Sequence, residues 1–381
     1  MTKETILTNA LIVTADDTFS GTVVVRDGLI ATIDRGQSTA VGAIDLDGDY
    51  LLPGLVELHT DNLEKHVAPR PGVRWPMRAA VLAHDAQIAA AGITTVFDAL
   101  TVCEVRDNPV RAEMLHDAAA AVGAMQAAGH LRAEHFLHMR CEVGHEAVVD
   151  VFRAFLDNEL VRLVSLMDHT PGQRQFVSLE KYYEYHQGKF GYSAAEMSDL
   201  VQRRRIEQEQ FADKHRREIA AMCSIRRLPT ASHDDATPGH IDEAIGFGLT
   251  IAEFPTTRDA ARAAHANSMA VVMGAPNVVR GGSHSGNVSA GELAERGLLD
   301  ILSSDYVPFS LLHSTFLLHR TIGMSLAEAV AKVSLNPARA VGLHDRGAIG
   351  AGQRADLIRV SLAADDLPVM RQAWRAGERM V

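Results

Sequence analysis

Leu51-Leu52-Pro53-Gly54-Leu55-Val56-Glu57-Leu58-His59-Thr60-Asp61-Asn62 decides how this chain is to be read. Leu51 to His59 is nearly continuous apolar sequence, the pattern of a strand covered on both faces. Residues two apart on a strand share a face, so His59 and Asp61 point the same way at its end. The pair is read either as a hydrogen-bonded core couple or as the start of a metal site.

Downstream, strand and helix alternate. A helix from Met77 to Ala91 stops at Gly92, Ile93 to Leu100 is a second strand, and an Ala-rich helix runs from Asn108 to Gly129. Glu134 to Val143 gives a third strand, Glu146 to Asp157 a helix, and Val161 to Asp168 a fourth strand. Thr230 to Ser232, Leu249 to Ala252, Ala270 to Met273 and Asp300 to Ser303 complete eight. Eight such strands predict a TIM-like (β/α)8 barrel, whose chemistry sits at the strand C-terminal ends. No Gly-rich phosphate fingerprint follows the first strand, which disfavours a doubly wound sheet. Short β-rich runs fill the first fifty residues and recur at Ala355 to Val360 and Val369 to Trp374. Neither end buries a core alone, so residues 1–50 and 345–381 are expected to form one small β-sandwich domain beside a barrel of residues 51–344. An insertion at about 172–224 interrupts the rhythm and holds Tyr182, Tyr183, Tyr185 and Tyr192. It reads equally as a lid or as an oligomer contact.

The strand ends collect metal-competent side chains. His59 and Asp61 close the first strand, Glu142 the third and His169 the fourth; His233 follows the fifth and Asp305 the eighth. Three imidazoles and three carboxylates without a thiolate suit Zn²⁺, Mn²⁺ or Fe²⁺. Six donors exceed what one tetrahedral ion takes, so two ions, Zn²⁺ first, are expected. Glu253, ending the sixth strand, is either another ligand or a capping or salt-bridging group. His116, His130 and His215 carry no such context and read as structural or exposed.

Composition narrows the class. The 381 residues are 47% hydrophobic and 22% charged, ordinary for a globular enzyme, and a net charge of −11 argues against nucleic acid. Cys103, Cys141 and Cys223 cannot make a disulfide framework, pointing to a reducing compartment. Met1-Thr2-Lys3-Glu4-Thr5 does not open a signal peptide and no apolar run reaches membrane-spanning length, so a cytoplasmic protein away from membranes is expected; a homo-oligomer is expected as well.

With these residues in place, the chain is identified as resembling a known group. Leu51 to His59, with Pro-Gly before the histidine, resembles the opening motif of the amidohydrolase superfamily. Asn336-Pro337-Ala338-Arg339-Ala340, with Gly347, Gly352 and Ala355-Asp356-Leu357, is similar to its closing signature. His59-Thr60-Asp61-Asn62-Leu63-Glu64-Lys65-His66, Pro69 to Pro76, Gly92 to Asp98, Met167 to Gln173, Ser232 to Thr237 and Ser303 to Tyr306 look like the PhnM family. These are α-D-ribose 1-methylphosphonate 5-triphosphate diphosphatases of the carbon–phosphorus lyase pathway.

The resemblance implies a metal-dependent hydrolase of a small anionic triphosphate, active on a phosphoric anhydride in phosphonate catabolism. It implies His59, Asp61, Glu142, His169, His233 and Asp305 as the metal shell, with Asp305 also taking the water's proton. The His-x-Asp pair departs from the commoner His-x-His, and Glu142 stands where many members carry a carboxylated lysine. His169 and His233 come one strand earlier than the superfamily's fifth and sixth. Candidate phosphate donors are Lys65, Arg70, Arg74, Arg140, Gln173, Arg174 and the Arg280-Gly281-Gly282-Ser283-His284 loop, through Arg280, Ser283 and His284. Two other readings stay open: a C–N amidohydrolase, which needs fewer cations, and a non-catalytic scaffold, which would have lost ligands.

Overall fold

The structure is a computed structural model, and it describes residues 3–103, 109–172, 174, 193–283 and 286–381. In chain order its strands are β1 (Glu4–Val13), β2 (Thr18–Arg26), β3 (Leu29–Arg35), β4 (Ile44–Asp45) and β5 (Tyr50–Pro53). Then come β6 (Leu55–Thr60), β7 (Ile93–Val102), β8 (Glu134–Glu142), β9 (Val161–Met167) and β10 (Thr230–His233). They are followed by β11 (Ile251–Glu253), β12 (Ala270–Gly274), β13 (Ile301–Ser303), β14 (Leu357–Leu362), β15 (Pro368–Arg375) and β16 (Glu378–Arg379).

Strands β6 to β13 form one eight-stranded sheet in sequence order, and helices fill most of the connections. This is the barrel architecture that the alternation predicts, with the eight expected strands and, among the described residues, no additional one in their sheet. Every residue of β6 and β7 is buried, as parallel strands covered on both faces must be.

The chain ends meet in a second, mixed sheet. Its order is β16-β15-β14-β5-β1-β2-β3, with β4 beside β1. Hydrogen bonding makes this one continuous sheet. Its apolar core holds Leu7, Ile12, Val23, Val25, Ile30, Leu51, Leu357 and Trp374.

The opening stretch divides between the two sheets. Leu51 to His59 reads as one strand, but Tyr50–Pro53 pairs with β1 and β14, while Leu55–Thr60 begins the barrel. Gly54 is the break. A Cβ there would lie less than 3.0 Å from three Thr94 side-chain atoms, so only glycine lets the backbone pass.

By its internal contacts the chain falls into two compact units: Met1–Asp98, Ala120–Phe136 and Met273–Val381 form the first; Ala99–Ala119 and Leu137–Val272 form the second. The first holds the mixed sheet with β6 and β13. The second holds β9 to β11 and the helical part of the insertion.

That helix runs over Ala194–Arg226 and starts at a capping box in which Ser193 and Glu196 bond reciprocally. Met197, Leu200, Ile219 and Cys223 bury its apolar side. His215 meets the Val143 carbonyl at 3.0 Å, and Arg216 donates to Asp168 at 2.7 Å. The helix is thereby tied to the segments that follow β8 and β9. Tyr182, Tyr183, Tyr185 and Tyr192, on which the lid or contact reading rests, lie outside the described residues.

Candidate metal centre

In the first unit, the ends of β6 and β13 are laced together. The fully buried Glu57 carboxylate accepts from the His59 N–H at 2.6 Å, the Ser303 hydroxyl at 2.6 Å and the Ser304 N–H at 2.5 Å. Burial pushes the Glu57 acid up to about 7, against the opposing pull of the serine bonds. The Asp305 N–H donates to the His59 carbonyl at 3.1 Å, and the Asp61 N–H to the Asp305 carbonyl at 3.1 Å. His59, Asp61 and Asp305 therefore ride on one hydrogen-bonded piece of backbone. His59 is buried, whereas Asp61 and Asp305 are half-buried. Asp305 sits at φ +54°, a left-handed conformation unusual for a residue with a Cβ.

The next residue, Asn62, begins a buried polar chain. The Asn62 side-chain amide contacts His84 Nδ1 at 3.1 Å and donates to Gln87 at 2.9 Å. His84 Nε2 reaches Asp98 at 2.7 Å, and His135 Nδ1 reaches the other Asp98 oxygen at 2.8 Å. His135 Nε2 faces Asp85 at 3.4 Å. Burial opposes charge on His135, yet the Asp98 carboxylate and the bond to Asp85 outweigh it and push the imidazole up to about 9.

In the second unit, two imidazoles are each held by a carboxylate. His169 Nδ1 bonds Glu142, and His233 Nδ1 meets Glu253 at 2.7 Å. The rings lie 5.5 Å apart at 74°. Burial disfavours charge on His233, but Asp234 and Glu253 together raise its pKa. The same carboxylates would welcome a metal cation. His169, His233 and Asp234 form a buried group whose ligand atoms all lie within 4.8 Å of one another. Imidazole and carboxylate donors without thiolate fit a divalent ion of the Zn²⁺ class.

The candidate phosphate donors divide by exposure. Lys65 is exposed and donates to the Tyr306 carbonyl, its ammonium 5.1 Å from the Tyr306 ring centre. Arg70 and Arg74 are exposed on the segment after β6. Arg140 is buried, its Nε 3.4 Å from Met167 Sδ. Arg174 is buried too, its guanidinium held by Asp235 and, at 2.6 Å, by Glu243. Arg280 is exposed but ends a short helix, Ala275–Arg280, which Gly281 terminates; Ser283 is half-buried. Gln173 and His284 lie outside the described residues.

Sequence reasoning passed over Glu57, Asp234 and His138. Glu57 precedes His59 by two, so the period that picked Asp61 would have found it. Asp234 is adjacent to His233, and its φ of +56° places it where strand periodicity says nothing. His138 shares the Glu142 face of β8 and bonds Ser165 at 2.9 Å. Glu253, left open between ligand and salt-bridge roles, is seen bonding His233.

The model of the amidohydrolase family matches residues 63–381. The chain belongs to that family. This amidohydrolase is 46% identical over 377 residues to the α-D-ribose 1-methylphosphonate 5-triphosphate diphosphatase of Escherichia coli (strain K12), covering 98% of the chain and all of the relative. It falls in the PhnM branch. Among solved structures, dihydropyrimidinase from Brevibacillus agri superposes with a TM-score of 0.66 at 13% identity, covering 99% of this chain and 95% of that one. N-acetyl-D-glucosamine-6-phosphate deacetylase from Mycobacterium smegmatis gives 0.65 at 18%, covering 99% and 100%. At such identities these two structures speak for the fold of the amidohydrolase alone. Among its described residues no helix is long and apolar enough to cross a membrane.

Proposed function

We propose that this amidohydrolase cleaves α-D-ribose 1-methylphosphonate 5-triphosphate to the 5-phosphate and pyrophosphate, in phosphonate catabolism. The near full-length likeness to the Escherichia coli diphosphatase carries this reading. His59, Asp61, Glu142, His169, His233 and Asp305 are the proposed holders of two divalent ions, Zn²⁺ first, with Mn²⁺ or Fe²⁺ as alternatives. When bound, such ions lower the pKa of water and offset anionic charge.

The chain's own side chains supply the rest. Asp305 accepts the proton of the water that attacks the α-phosphorus. The new bond joins that water's oxygen to phosphorus, the α–β anhydride bond breaks, and pyrophosphate takes the electron pair. Lys65, Arg70, Arg74, Arg140 and Arg280, with Gln173, Ser283 and His284, are proposed to bind the phosphates and spread the departing charge. Arg174 joins that set on sequence grounds, although Asp235 and Glu243 already engage it. A cytoplasmic homo-oligomer is proposed with this activity.

Turnover in ¹⁸O-labelled water tests the reading. Unlabelled pyrophosphate with one ¹⁸O in the 5-phosphate is the expected result. Label in pyrophosphate would place attack at the β-phosphorus. Hydrolysis of cyclic amides with no action on the triphosphate would hand the site to C–N chemistry.

A further inference from the structure

Two buried clusters of imidazole and carboxylate differ in their spacing. In the His84, Asp98 and His135 cluster, nitrogen and oxygen stand 2.7 and 2.8 Å apart. These are ordinary charge-assisted hydrogen bonds, with a proton and no ion between the atoms. In the other cluster, Nε2 of His169 and of His233 stand 3.7 and 3.5 Å from one oxygen of Asp234. Those separations are too long for a good hydrogen bond. They match two donors sharing an ion, since ligands about 2.1 Å from a tetrahedral centre lie about 3.4 Å apart.

We propose that Asp234 is a metal ligand alongside His169 and His233, and that Glu253 is the positioning residue that aims His233. This rests on the metal-dependent reading above. The backbone supports it, because the Asp234 N–H donates to the Glu253 carbonyl at 2.9 Å and pins the residue in its left-handed conformation. That conformation is uncommon for a residue with a Cβ, although Asp adopts it more readily than most, and the bond to Glu253 holds Asp234 there. Glu253 accepts the Nδ1 proton of His233, and that bond fixes the tautomer whose Nε2 lone pair faces the Asp234 oxygen. Glu142 bonds His169 through the same ring atom, Nδ1, so both imidazoles present Nε2 to one point.

The test is Co²⁺ binding to the metal-free protein, followed by visible absorption and chelator competition. Asp234→Asn and Asp234→Gly both tolerate a positive φ, so each keeps the backbone while weakening or deleting the donor. Each is expected to lose tenfold or more in Co²⁺ affinity and to change the intensity of the ligand-field bands. Glu253→Gln is expected to lose about 10–100-fold in affinity with a smaller spectral change, since it disturbs a ligand's orientation and not its identity. Wild-type affinity and spectrum in both Asp234 variants would overturn the proposal and leave the metal reading intact. A wild-type protein that takes up no Co²⁺, or whose His169→Ala and His233→Ala variants bind it unchanged, would overturn both.

Discussion

Thr60 donates its hydroxyl proton to the carbonyl of Asp305 at 2.8 Å, across 245 residues of sequence. The bond joins the last residue of the first barrel strand to the residue proposed to accept the water's proton. Asp305→Asn leaves this carbonyl and its N–H bond to His59 in place and removes only the basic oxygen. A fall in kcat of about 10²-fold or more is expected, with melting temperature nearly unchanged. A kcat near wild type at saturating metal would assign the proton to another group.

Metal removal should separate chemistry from folding. The ends of β6 and β13 are bound by Glu57, Ser303 and backbone hydrogen bonds that need no ion. Exhaustive chelation is therefore expected to abolish turnover while far-ultraviolet circular dichroism stays close to that of the untreated protein. Undiminished turnover in protein verified metal-free by elemental analysis would end the metal-dependent reading.

Arg174 offers a choice between two roles. Its bonds to Asp235 and Glu243 predict that Arg174→Gln destabilises the protein by about 3–5 kcal/mol, because Asp235 is left as an uncompensated buried charge. Denaturant titration measures that loss, and steady-state kinetics on the surviving folded protein measures KM. A raised KM with unchanged stability would return Arg174 to the phosphates.

The His135 imidazolium predicts a pH dependence of stability. Its pKa rises from an ordinary 6.5 to about 9 in the fold, so the charged form is favoured there. The stabilisation is complete below about 6.5 and is lost as pH climbs through about 9. Urea midpoints should accordingly decline between those values, and His135→Gln should flatten that decline. A parallel decline in the variant would place the titration at another group.

Gly54→Ala is expected to cost about 1–3 kcal/mol, because its methyl group would press into buried Thr94. Pairing with Thr94→Ser or Thr94→Ala should recover part of the loss. No recovery in the double variants would mean that backbone strain, and not this contact, governs the position.

The barrel was legible because its strands are apolar throughout and its helices are closed by residues such as Gly92, at φ +83°. Periodicity also grouped His59 with Asp61. It could not show that Gly54 divides one apolar run between two sheets, since that depends on Thr94, forty residues away and close only in the fold. Charge and a place after the fourth strand made Arg174 a phosphate donor, while its partners Asp235 and Glu243 come from later segments. Asp234 escaped notice for a different reason: a left-handed residue breaks the alternation by which strand-end side chains are counted.

The mixed sheet also sets an order of assembly. Arg359 on β14 bonds Asp49 at 2.5 Å and Asp47 at 2.8 Å, which come 310 and 312 residues earlier in the chain. During vectorial synthesis, β5 must wait for its antiparallel neighbour until almost the whole barrel has left the ribosome. One edge of β5 is exposed for that interval, with Leu51 and Leu52 on it. At about 5–20 residues per second the wait is on the order of tens of seconds, long enough for an unpaired edge to recruit another nascent chain. Truncation before β14 should therefore release a chain that is prone to aggregate through its N-terminal strands.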